Sequence, residues 1–236
     1  MKKNLFFLLL FIPLLSGCLY PKERLAENTT PPVQQIQQVQ EAVKKFQEKT
    51  GVLPLLNRDA STPIYEKYPI DFQKLVPGYL STIPGAAFEA GGNYMFVFIN
   101  PEEKLEVRLA DLVVSQKIQS LQQDVQLYYT RNKSYPFGEK IVDGYYLLDF
   151  KAFNQEDETV TSQYSQQHLN IIISEKGIVG VDYAPDIQMA VQKLSTPPGP
   201  IEDLRTYLAV DSPVVPIKSF PYLLINGEPH LMKVYN

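Results

Sequence analysis

The sequence predicts an α+β fold, and three observations predict it. A stretch with a helical apolar period, Ile36 to Pro54, returns at Ile118 to Pro136, 82 residues later and without a gap. Each copy is followed by a run of aromatic or β-branched residues bounded by turn residues, Tyr94 to Ile99 and Leu169 to Ser174. Near the C-terminus, Asn226-Gly227 sits between two apolar runs and marks a further hairpin. The predicted plan is two tandem units, each an amphipathic helix packed on a small antiparallel sheet, plus a C-terminal helix-hairpin extension. The expected boundaries are 1–17 for a signal peptide, 18–32 for a tether, 33–109 and 110–183 for the two units, and 184–236 for the extension or a shortened third unit.

In chain order, Lys2 and Lys3 precede an apolar run, Leu5 to Leu15, that is too short for a comfortable membrane span and has the form of a secretory signal. Leu19 to Pro32 is polar, has no apolar period and ends in Pro31-Pro32, as a tether would. Val33, Ile36, Val39, Val43 and Phe46 then recur at spacings of three and four, with Pro32 placed to start a helix and Gly51 to stop it. The Pro-rich stretch Val52 to Pro69 is a connection. Asp71 is the expected N-cap of a short helix running through Leu80. Tyr94 to Ile99 is apolar without alternation, the pattern of a buried strand; Leu105 to Leu109 alternates and returns from a turn at Asn100 to Lys104.

The second unit repeats the order. Asp111 is the expected cap of a helix with Leu112, Val114, Ile118, Leu121, Val125 and Tyr128 on its stripe. Asp143-Gly144 is a turn, and Tyr145 to Leu148 reads as strand or loop. Asp149-Phe150 echoes Asp71-Phe72. Asn154 to Gln167 is polar and expected to be exposed. Leu169 to Ser174 and Ile178 to Tyr183 form a hairpin around Glu175-Lys176-Gly177. In the extension, Asp186 is the expected cap of a helix through Leu194, Ile201 to Leu208 is a short helix, and Tyr222 to Ile225 pairs with His230 to Tyr235.

Two resemblances rest on these residues. Leu15-Ser16-Gly17-Cys18 resembles the lipobox of bacterial lipoproteins. That implies a diacylglycerol on the Cys18 thiol, palmitate-type acylation, removal of the peptide before it, and Cys18 as the new N-terminus. Each buried CH₂ holds the anchor by about 0.8 kcal/mol. The implied location is the extracytoplasmic face of the cell membrane, lipid-anchored, with the bilayer as partner through Cys18. As a whole the chain looks like uncharacterised lipoproteins of Gram-positive, endospore-forming bacteria. Separately, the helix ending in Gly51-Val52-Leu53-Pro54, the Tyr79-Leu80…Ile83-Pro84 segment, the Gly91-Gly92-Asn93 turn and the aromatic strand resemble the globular part of pilins and pseudopilins. That likeness covers Val33 to Leu109, and more weakly Asp111 to Tyr183. A pilin begins with a long hydrophobic helix where this chain has Cys18, so what carries over is the shape of a helix on an antiparallel sheet.

Charge excludes some partners. The chain has 22 Lys and Arg against 26 Asp and Glu, and no basic run, which argues against nucleic acid and against adhesion to anionic lipid by charge alone. Cys18 is the only cysteine, so neither an internal disulfide nor a Cys-based metal site is expected. His168 and His230 are the only histidines, and neither has a second ligand at metal spacing. Glu156-Asp157-Glu158 is the one acidic triplet with a motive, since a hard cation such as Ca²⁺ wants oxygen ligands; a solvated loop is the plainer reading. No nucleophile elbow, P-loop or dinucleotide fingerprint is present, and no cofactor is expected. With no Trp, any sugar-stacking platform falls to Tyr128-Tyr129, Tyr135 and Tyr145-Tyr146, of which one of Tyr128 and Tyr129 should be core. The leading expectation is a binding or scaffolding lipoprotein directed at an extracytoplasmic protein or a cell-wall component. The alternative is an extracytoplasmic hydrolase of wall glycan or peptide, using carboxylates that sequence does not pair.

Overall fold

A computed structural model of the chain describes residues 32–102 and 105–233. Cys18, the leader and tether residues 18–31 lie outside the described residues. Helix α1, Val33–Thr50, follows Pro32 and ends at Gly51, whose left-handed φ of 74° lets its N–H reach the Gln47 carbonyl at 2.8 Å. Its stripe of Ile36, Val39, Val43 and Phe46 is buried against Ile70, Phe72, Phe96, Phe98 and Leu109. Each such side chain contributes about 1.5–3 kcal/mol.

Strands β1, Tyr94–Ile99, and β2, Glu106–Asp111, pair antiparallel with Tyr94 opposite Asp111 and Ile99 opposite Glu106. The absence of alternation in β1 has its predicted meaning, because both faces are covered. Phe96 and Phe98 join the α1 core, while Val97 and Ile99 enter the core of the second half. The connection before β1 lines its other edge, with the Phe98 N–H donating to the Tyr68 carbonyl and the Ile70 N–H to the Phe96 carbonyl, both at 2.9 Å. Asp71 caps helix α2 by accepting from the Gln73 N–H at 3.1 Å. That helix spans only Phe72–Leu75 and does not reach Leu80. Pro77 forces Val76 into an extended conformation, φ −95° and ψ 136°, and stops it.

Helix α3, Leu112–Asn132, is capped by Asp111, which accepts from the Val113 N–H at 2.8 Å. Val114, Ile118, Leu121 and Val125 are buried as predicted. Strands β3, Phe137–Val142, and β4, Tyr145–Leu148, form a hairpin around Asp143-Gly144. Strand β3 was not predicted: Gly138-Glu139-Lys140 offers no apolar face, and its pairing is irregular. Asp149 caps the 3₁₀ turn Phe150–Phe153 through the Lys151 N–H at 3.1 Å, as Asp71 does at α2. Strand β5, Thr159–Thr161, interrupts the predicted exposed loop, where Val160 and Ser162 are buried. Strands β6, His168–Ser174, and β7, Val179–Val181, complete a sheet ordered β3-β4-β6-β5, with β7 also on β6.

In the extension, helix α4 is Ala184–Val191 and helix α5 is Arg205–Asp211. Asp186 does not cap α4; the N-cap position is Tyr183, which makes no side-chain cap, and the Asp182 carboxylate before it accepts from the Ala184 N–H at 3.0 Å. Asp186 turns inward instead. Strands β8, Tyr222–Ile225, and β9, Glu228–Leu231, flank the predicted Asn226-Gly227 turn, whose φ values of 54° and 85° suit the twist of a two-residue hairpin.

The sequence repeat is also a repeat of hydrogen bonds. The Gln40 side chain donates to the Leu105 carbonyl at 3.1 Å and accepts from the Val107 N–H at 2.7 Å. Gln122, 82 residues later, donates to the Gly177 carbonyl at 2.8 Å and accepts from the Val179 N–H at 2.8 Å. Each helix thereby clips one strand of its own half with an amide that mimics a neighbouring backbone.

Residues 213–219 join the halves. The Leu109 N–H donates to the Pro213 carbonyl and the Val215 N–H to the Leu109 carbonyl, both at 2.9 Å; the Val181 N–H donates to the Lys218 carbonyl at 2.8 Å. One segment thus runs along the edges of β2 and β7, and the described residues form one compact unit.

Candidate functional site

Two clefts open where the connection 52–69 meets the other elements. The first has a volume of about 520 Å³ and the second about 500 Å³. Both are within the range of about 300–1,000 Å³ that holds small ligands.

The first cleft is walled by Tyr65, Tyr68, Phe98, Ile99 and Val210, with Lys67, Asn100 and Asp203 as polar groups. It has two carboxylates, Glu102, which is exposed, and Asp203, which is already used. Asp203 accepts from Arg205 at Nε (2.9 Å) and Nη2 (2.6 Å), a two-pronged pair with a fixed geometry. The Arg205 guanidinium lies 5.5 Å from the Tyr65 ring centroid and also donates to the Ser219 carbonyl at 2.9 Å. Burial pushes the Tyr65 hydroxyl up to about 12, against the pull of the Arg205 charge. At neutral pH Tyr65 is a neutral wall of this cleft.

The second cleft is framed by one face of α3, by Arg58 and Glu66 from the connection, by Met95 of β1 and by Ile217 to Phe220. Lys218 pairs with the Glu66 Oε2 at 2.8 Å. The Glu66 Oε1 is buried and has no hydrogen-bond partner among the described residues. Arg58 has no carboxylate partner among the described residues, and its guanidinium reaches the Met95 sulfur at 4.0 Å.

The remaining sequence candidates do not assemble with these clefts. Glu156, Asp157 and Glu158 are exposed, and Glu158 is held by Lys117 at 2.9 Å. Among the described residues no three His, Cys, Asp or Glu are grouped to hold a metal ion. His168 is exposed at the start of β6, 3.4 Å from the Thr159 hydroxyl, and His230 is half-buried on β9. The tyrosines do gather, but on one another. Tyr129 stacks on Tyr135 at 4.4 Å, and Phe137 meets Tyr146 at 4.5 Å with the rings tilted by 30°. Tyr135 also lies close against Gly177, where an added Cβ would meet its ring. Tyr128 and Tyr129 are both half-buried, the former edge-on to Phe153 at 5.8 Å, where one was expected in the core. Tyr145 is buried against Phe220.

Asp186 has a chemistry that sequence reading missed. It is 2% exposed and accepts from the Ser162 hydroxyl at 2.7 Å; Ser162 in turn accepts from the N–H groups of Tyr164 and Ser165. Burial raises its pKa, with Ser165 and Ser162 acting in the opposite direction. It lines neither cleft. The buried Tyr164, Tyr183 and Tyr222 hydroxyls are likewise held neutral, by burial before any neighbouring charge.

No helix among the described residues is long and apolar enough to cross a membrane. Residues 32–111, from the residue before α1 to the last residue of β2, match the model of the YphF family N-terminal domain. No curated protein and no solved structure matches the chain.

Proposed function

We propose that this chain is a lipoprotein anchored through Cys18 at the extracytoplasmic face of the cell membrane, where it binds a protein or cell-wall partner without transforming it. The likeness of its leader to a lipobox supports the anchor, and the likeness of its first half to pilins supports a scaffold of helix on sheet. One observation carries the preference for binding over hydrolysis. Asp203 of the first cleft and Glu66 of the second are already engaged by cations, Arg205 and Lys218, the first cleft's other carboxylate, Glu102, is exposed, and Asp186, the buried carboxyl with a raised pKa, reaches neither cleft. Acid–base hydrolysis needs a raised acid and a second carboxylate facing one cavity.

Two measurements test this reading. Metabolic labelling with palmitate should mark the parent and not Cys18→Ala, and the variant should leave the membrane fraction. Crosslinking in intact cells should recover a discrete partner with the parent. Unlabelled parent protein would refute the anchor, and hydrolysis of purified wall by the folded protein would refute the binding role.

A further inference from the structure

The second cleft carries a specific ligand chemistry, an inference that rests on the binding role proposed above. Its charged groups are two cations and one anion, Arg58, Lys218 and Glu66, in a chain whose net charge is −4. Lys218 and one oxygen of Glu66 satisfy each other. Two groups remain. The Arg58 guanidinium offers donors in a planar fork that matches a carboxylate, with only a sulfur as present company. The Glu66 Oε1 is a buried acceptor left for water or a ligand.

The free groups therefore ask for an anion and a nitrogen donor on one small molecule. The walls between them are mixed: Met95 and Ile178 are apolar, while Ser115 and Gln119 are polar. A volume of about 500 Å³ leaves room for side chains beyond a single α-amino carboxylate unit. We infer that this cleft binds a short zwitterionic peptide, its carboxylate on Arg58 and its amino group on Glu66.

The probe is alanyl-alanine, compared with its C-terminal amide and its N-acetyl derivative, each titrated calorimetrically into residues 19–236. The free dipeptide should bind at least tenfold more tightly than either blocked form. Arg58→Gln, a change on an exposed side chain, should remove the preference for the free carboxylate and keep that for the free amine. Glu66→Gln should do the converse, with circular dichroism confirming that it folds. Equal binding of all three compounds, no heat from any of them at millimolar concentration, or unchanged discrimination in Arg58→Gln would overturn the assignment. Palmitate labelling and partner crosslinking do not use this cleft's ligand, so they still decide the broader role when the dipeptide fails.

Discussion

The two halves clip their strands with the same amide and then treat their sheets in opposite ways. Gln40 and Gln122 make matching pairs of bonds to Leu105/Val107 and Gly177/Val179. Yet β1 and β2 are covered on both faces and both edges, whereas β3 of the second half is an exposed edge with irregular pairing and a Glu-Lys surface. Irregular pairing and charge are how natural sheets keep an open edge from recruiting another strand. The β1–β2 hairpin therefore lies between two cores, and β3 forms an open margin of the second half. A repeated element keeps its local bonds while its place in the whole decides what it exposes.

The largest expected effect tests that contrast. Phe98→Ala, in the doubly covered strand, should cost about 3–5 kcal/mol, and Phe137→Ala, on the open edge, about 1 kcal/mol, the worth of its ring contacts. Urea denaturation measures both. Equal costs would break the contrast of hairpin and margin. Next comes the join. A Cβ on Gly180 would meet the Phe220 ring at 2.6 Å and the Lys218 carbonyl at 2.7 Å, so Gly180→Ala should cost about 1–3 kcal/mol by forcing residues 217–220 away from β7. Amide exchange should quicken at Val181; unchanged protection there would show that the join gives way elsewhere.

The paired amides give a smaller, matched effect. Gln40→Leu and Gln122→Leu should each cost about 1–3 kcal/mol, since each strands a backbone donor and acceptor. Thermal melts of the two variants should agree; a silent Gln122→Leu would mean that the second half does not depend on its clip. The smallest effect is one of pH. The folded-state pKa of Asp186 is raised by burial, so the folded state binds its proton more tightly than the unfolded chain does. That contribution is present below the unfolded value near 4 and is lost as pH rises through the folded value. Asp186→Asn should therefore melt higher than the parent at pH 7 and lose this advantage at pH 3. A constant offset across the range would assign the effect to packing instead.

The repeating helices were legible because their stripes recur at the helical period, and the strand Tyr94–Ile99 because an unbroken apolar run needs cover on both faces. The caps Asp71 and Asp111 were legible because their partners are two residues away. Strand β3 was hidden by a polar, Gly-containing sequence that its partner strand organises. Asp186 was misread as a cap because Ser162, its partner, lies 24 residues back. The second cleft was invisible for the same reason at longer range: Glu66 and Lys218 are 152 positions apart, and neither residue belongs to a motif. Residues 213–219 gave no strand signal because Pro213 and Pro216 interrupt them, although two single bridges are enough to tie the sheets.

That tie sets an order of events. Chains emerge from ribosomes N-terminus first, and residues 213–219 follow both β2 and β7. Until they arrive, β2 and β7 each present an unpaired edge of the kind that recruits other chains. Every molecule of this protein therefore passes through a stage in which β2 and β7 are out and still lack that neighbour. A chain truncated before Pro213 would remain in that stage.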